Sequence, residues 1–341
     1  MRGLPTCIVF VPLVLAQAGH VPELSVLDDP AFDHFYNLEY DQALAGFEAD
    51  ARKAPESADV QNHIAQTILF RQMFRAGMLQ SQMLTSGNSF LKMPKMEMSA
   101  ADSEQFTGAI ERAMALAQSH LHSNPNDAAA LYSLGVSYGL RGNYNFAVRK
   151  AYLDALRDAG SARKFHNQAT HIDPSLVDAQ LTQGVYDYIV GSLPFGWRMI
   201  GMVGGFQGNR ERGIRTLVRV ANEGNANRVD ATVFLAAIYR REHRLQDAIG
   251  VLKPLIPLVP RNYLLRLELA EMYGDNADQD SALDVLDQVE QLRRAHAPGY
   301  EMLSVDLLSQ VRQRILLNIA RNSTSAGGWD GERQALRLGT R

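Results

Sequence analysis

The chain has 341 residues, with 34 Lys and Arg against 37 Asp and Glu, a formal net charge of −3 and 46% hydrophobic residues. This balance excludes a disordered polyelectrolyte and offers no bulk basic footprint for nucleic acid. The single cysteine excludes a disulfide framework or a cysteine-based zinc site, and no apolar run reaches the roughly 18–20 residues of a membrane span.

Residues 1–18 read MRGLPTCIVFVPLVLAQA. Arg2, the apolar stretch 4–15 and Ala16-Gln17-Ala18 follow the order of a secretory signal with a small-x-small cleavage site. Pro5 and Pro12 oppose a buried globular helix. Cys7 precedes the apolar stretch, the wrong order for a lipid-anchor cysteine. Cleavage after Ala18 predicts an exported, cysteine-free mature chain, periplasmic or secreted, suited to an oxidising compartment.

Helix-forming sequence fills most of the remainder, and its breaks recur. Pro55-Glu56-Ser57, Pro125-Asn126-Asp127, Pro174-Ser175 and Pro260-Arg261-Asn262 each stop one helix and offer a polar cap for the next. At a constant offset from these prolines come the small residues Ala65, Gly135, Gly184 and Ala270. A second small residue follows at Ala147 and Ala282, and the unit ending at Pro260 repeats the pattern with Ala236 and Ala248. Large residues, Ile68, Tyr138, Tyr239 and Tyr273, stand beside the first small position.

With these offsets the chain resembles the tetratricopeptide repeat family, whose unit of about 34 residues is a pair of antiparallel helices. The best-matching units are 128–157, 229–261 and 263–295; those near 24–56, 58–126 and 177–226 are degenerate or interrupted. The resemblance implies an all-α, right-handed solenoid of helical hairpins over residues 19–320. Two segments interrupt it, near 71–102 and 191–209. An extra stretch at 158–172 is expected to break at Gly160-Ser161. An amphipathic helix over 298–320, with Leu303, Leu307, Val311, Ile315 and Ile319 on one face, is the expected cap. Residues 321–341 are expected to be a disordered tail.

The first insertion carries Met73, Met78, Met83, Met93, Met96 and Met98. Thioethers can bind Cu(I), form an adaptable contact surface or simply pack; packing is preferred and no metal site is assigned. The second contains Phe195, Trp197, Met199, Ile200, Met202, Val203 and Phe206. It can cover the solenoid, dock a partner or dip into a membrane interface, and the cover is preferred. Gly204-Gly205 with Gly208 lacks the lysine and preceding strand of a phosphate loop. His120 and His122 fall on different helix faces, and His166 and His171 are five apart. No metalloprotease or serine-nucleophile motif is present. No catalytic residue and no cofactor is assigned.

The family resemblance places binding on the concave face lined by the first helix of each pair. It nominates Asn62, Gln66 and Phe70; Tyr132 and Val136; Asp178, Leu181 and Tyr188; Asp230, Arg240 and Arg241; and Leu267 and Glu271. The expected function is a protein-interaction scaffold of the bacterial cell envelope that holds a peptide or protein. The alternative is a small-ligand-binding repeat protein whose pocket is closed by 191–209.

Overall fold

The computed structural model describes residues 25–79, 94–193 and 208–338, with side chains through residue 321. The expected signal segment and most of both insertions lie outside the described residues. The described residues form thirteen α-helices and no strand. Six antiparallel hairpins follow one another: α1 (Pro30–Tyr36) with α2 (Tyr40–Lys53), α3 (Ala58–Arg75) with α4 (Ala100–Ser123), and α5 (Ala128–Tyr144) with α6 (Tyr152–Ile172). They continue with α7 (Gln180–Gly191) and α8 (Arg210–Glu223), α9 (Arg228–Arg241) and α10 (Leu245–Leu252), and α11 (Tyr263–Asp275) and α12 (Gln279–Arg294). The last helix, α13 (Val305–Leu338), packs on α11 and α12. Each second helix packs on its own first helix and on the first helix of the next pair, the arrangement of an all-α solenoid.

Local chemistry sets the breaks. Ser57, Asp127 and Asn262 accept hydrogen bonds from the N–H groups of Val60, Ala130 and Leu265, capping α3, α5 and α11 as the sequence predicts. Ser175 does not cap a helix. Its own N–H donates to Asp173 Oδ1 (2.9 Å), and a 3₁₀ turn (Val177–Ala179) leads into α7.

The C-terminal ends repeat one motif. After α1, α3, α9, α11 and α12, the residues Leu38, Gly77, His243, Ala277 and His296 take left-handed backbone, with φ from 50° to 68°. In each case the next N–H reaches back five residues, as Arg244 does to Tyr239 (2.8 Å) and Asp278 to Tyr273 (2.9 Å). This is the Schellman closure that glycine suits best, and only one of the five positions has it. Ala277→Gly is therefore expected to stabilise the protein by about 0.5–1 kcal/mol, read as a higher urea midpoint at constant slope.

The small residues are buried as the repeat register requires: Ala65, Ala248, Ala270 and Ala282 at 0% and Ala236 at 1%. Gly184 and Gly213 let α7 and α8 touch: a Cβ on Gly213 would lie 2.5 Å from the Tyr188 backbone nitrogen.

Four boundaries differ from the sequence reading. Ala147 is buried but sits in a single π-helical turn (Asn145–Arg149), and the second helix of that unit starts only at Tyr152. That helix runs unbroken through Gly160-Ser161. A mid-helix glycine costs only about 1 kcal/mol, and burial of Asp158, Ala162, His166 and Ala169 along one face holds the helix together. The first insertion is shorter than 71–102, because α3 keeps its periodicity to Arg75 and α4 begins at Ala100. Helix α13 starts at Val305 and continues past residue 320, where a tail was expected; no proline stops it.

The solenoid also folds back on its start. The Tyr36 hydroxyl lies 2.9 Å from the Ala226 carbonyl and 3.2 Å from Asp230. Arg261 bonds Asp33 (2.5 Å) and Glu39 (2.8 Å), and its N–H donates to Asn37 Oδ1 (2.8 Å). Asn262 donates to the Tyr36 carbonyl (2.8 Å), and the Phe74 and Tyr263 rings meet at 6.3 Å. The first hairpin is thus fastened to the fifth and sixth.

Candidate partner-binding site

Because the superhelix closes, most nominated concave-face residues are packed. Asn62 is 1% exposed; it donates to the Ser133 carbonyl (2.8 Å) and accepts from the Ser137 hydroxyl (2.7 Å). Gln66, Phe70, Val136 and Leu181 are half-buried, and the Phe70 ring meets that of Phe35 at a 50° tilt. Leu267 is buried at 4%. Tyr188 is buried and donates to Glu242 (2.7 Å).

Tyr132 sits at the centre of a polar network along the axis. Its hydroxyl accepts from Asn227 (3.1 Å), and its ring stacks on His166 at 5.3 Å. Asp178 accepts backbone N–H bonds from Asn225 (3.0 Å), Ala226 (3.2 Å) and Asn227 (3.0 Å), tying the fourth unit to the start of the fifth. Burial pushes the Tyr36 and Tyr132 hydroxyls above their ordinary pKa, with the Asp230 and Asp178 charges acting the same way.

Burial, with a lesser push from Asp178, raises the Asp230 carboxyl to about 6. The single Tyr36 proton cannot serve Ala226 and Asp230 at once, whereas a protonated Asp230 can itself donate to Tyr36. The folded chain therefore holds more protons than the unfolded chain between about pH 4 and pH 6, and stability falls as pH rises through that window. Asp230→Asn is expected to remove this slope and to stabilise the protein at pH 7.5 by about 1–2 kcal/mol, measured by urea unfolding at several pH values.

Arg240 and Arg241, adjacent in sequence, divide between interior and solvent. Arg240 is 6% exposed; it donates to Glu268 (3.1 Å), Glu271 (2.9 Å) and Asp275 (2.7 Å). Burial alone would lower its pKa, but the three carboxylates outweigh that and raise it. Arg314 adds a bond to Glu271 (2.6 Å) and Asn318 one to Asp275 (3.0 Å), so α9, α11 and α13 are joined by one ionic cluster. Glu271, nominated as a binding residue, is spent inside this cluster at 5% exposure.

Arg241 turns outward, its guanidinium 5.9 Å from the Tyr188 ring centre. Beside it opens a recess of about 330 Å³ lined by Arg240, Arg241, His243, Leu245, Asp275, Asn318 and Arg321. Of the nominated residues, Arg240 and Arg241 are the two that line it. His243, Asn318 and Arg321 were not nominated: they come from a turn and from the last helix, outside the groove positions that the repeat pattern marks.

Among the described residues no cluster of His, Cys, Asp or Glu is arranged to hold a metal ion, and no helix is long and apolar enough to cross a membrane. No protein-family model matches the chain, and no curated protein is significantly similar to it.

Proposed function

We propose that this chain is an interaction scaffold of the cell envelope, a tetratricopeptide-type solenoid that binds a protein or peptide rather than transforming a substrate. Residues 1–18 support export, and the recurrent offsets of small residues support the repeat class. The observation that carries the binding role is the recess beside Arg241, where the layer of first helices meets solvent with cationic, amide and apolar groups together. A partner presenting a carboxylate next to an apolar side chain fits that lining. The same recess supports the second reading, a small anionic ligand held without a protein partner.

The test is cross-linked capture from the native envelope, using wild-type protein and an Arg241→Ala/His243→Ala variant. Both side chains lie outside the core, so the variant should melt as the wild type does. Loss of one cross-linked protein is the expected result. Undiminished capture would move the partner site elsewhere, and capture of nothing, with a small anion raising the melting temperature, would favour the second reading. Tyr132 and Arg240 are unsuitable for this test, since both are built into the interior. N-terminal sequencing of native material is expected to begin at Gly19.

A further inference from the structure

Helix α6 presents an inverted pattern at its start. Its inward face carries Ala162, His166 and Ala169, all buried. On the outward face Tyr152 is 49% exposed, Leu153 71% and Leu156 45%. Single exposed apolar residues are ordinary, but three on one face over a turn and a half form a patch. The Phe146 ring lies edge-on to Tyr152 at 5.7 Å and extends it.

The surroundings are cationic, although the chain as a whole is acidic. The stretch 149–164 holds five basic side chains, Arg149, Lys150, Arg157, Arg163 and Lys164, against Asp154 and Asp158. Asp158 is turned inward and bound by Arg141 (2.6 Å) and Asn145 (2.8 Å), which leaves Asp154 as the outward carboxylate of the stretch. Arg149 and Arg157 flank Asp154 at 3.9 and 3.4 Å.

The position matters as much as the composition. The patch lies at the end of the solenoid where each first helix turns into its second. Both inserted segments leave and rejoin the fold at that same end. The return of the first is fixed there by the Met96 N–H donating to the Ala147 carbonyl (2.9 Å). The second leaves after α7, whose Tyr186 lies under Arg163 of α6 at 4.3 Å, so its point of departure falls beside the first turns of α6. In sequence, 80–93 and 194–207 contain no Asp or Glu and one basic residue each.

We propose that this edge of the solenoid is a peripheral docking surface for an anionic lipid bilayer, with Tyr152, Leu153 and Leu156 entering the interface and Arg149, Lys150 and Arg157 meeting the headgroups. Tyrosine and leucine beside Lys and Arg are the residue types that partition to that depth, and the basic groups supply attraction that salt weakens. Among the described residues no helix is long and apolar enough to cross the bilayer, so the contact is peripheral.

The purified protein is to be sedimented with vesicles of phosphatidylglycerol and phosphatidylcholine, and with vesicles of phosphatidylcholine alone. Wild type is expected to bind the anionic vesicles at least tenfold more strongly, with the difference shrinking at about 0.5 M salt. Leu153→Ser/Leu156→Ser is expected to lose at least tenfold in partitioning at an unchanged melting temperature. Should that variant melt early, Arg149→Gln/Arg157→Gln tests the same surface and should abolish the anionic preference. Absence of binding to anionic vesicles, or equal binding by the leucine variant, overturns the proposal. So does a concentration-dependent dimer that the leucine variant dissolves, because the patch would then join two copies of the chain.

Discussion

Replacing Gly135 by alanine is expected to lower the unfolding free energy by about 3 kcal/mol, the upper part of the usual cost of overpacking. The added Cβ would stand inside the His166 ring. That ring has little room to yield: it is 4% exposed, stacked on Tyr132, and donates from Nε2 to the Tyr132 carbonyl (3.2 Å). Burial lowers the His166 pKa to about 4, so it packs as a neutral aromatic at neutral pH. If this contact is the cause, His166→Ala should relieve it. The double variant should then be more stable than the sum of the two single losses by at least about 1 kcal/mol in a urea double-mutant cycle. Strict additivity would place the damage elsewhere in α5.

A loss of about 3–5 kcal/mol is expected for Arg240→Met, which keeps much of the packing volume but removes the cation. Glu268 and Glu271, 9% and 5% exposed, would lose a partner, and Asp275 would keep Asn318. A buried carboxyl without its cation is held above its unfolded pKa, so it binds a proton first in the folded state. Stability of the variant should therefore rise as pH falls from 7 toward 5, narrowing its gap to wild type. Unfolding curves at the two pH values check both sign and size. A gap that does not change with pH would mean that Arg314 and Asn318 already satisfy the cluster.

The repeat packing was legible because it depends on local spacing. Small residues at fixed offsets mark the hairpins, with a proline and a cap ahead of the second, third and sixth, and Ala236, Ala248, Ala270 and Ala282 are buried accordingly. The same local logic failed at Gly160-Ser161, where a weak helix breaker is overruled by the face that α6 buries against α5. It failed at Ala147 as well, because a π turn shifts the second helix downstream while keeping that alanine inside. The concave-face set was harder to place. Offsets identify which side of a helix faces the axis, but not whether the axis is open. That depends on pairs such as Tyr36 with Asp230 and Asp33 with Arg261, which have no signature in either neighbourhood. The recess drew Arg240 and Arg241 from the repeat pattern, but the other five of its seven lining residues were not nominated, and His243 from a turn and Asn318 and Arg321 from the last helix stand at no groove position that the pattern marks.

The fastening of the first hairpin to the fifth and sixth changes how the molecule comes apart. A linear repeat array couples nearest neighbours and peels from its ends, the terminal units fraying first. Here the couplings run in a circle: Tyr36 and Ala226 are joined across 190 positions, Asp33 and Arg261 across 228. Removing the first hairpin would strip hydrogen-bond partners from Asp230, Arg261 and Asn262, so damage at one terminus is delivered near the other. Slow amide exchange should consequently extend evenly across the hairpins instead of declining toward the amino end. The cost falls on folding speed, because the closing contacts form only after most of the chain between them is in place.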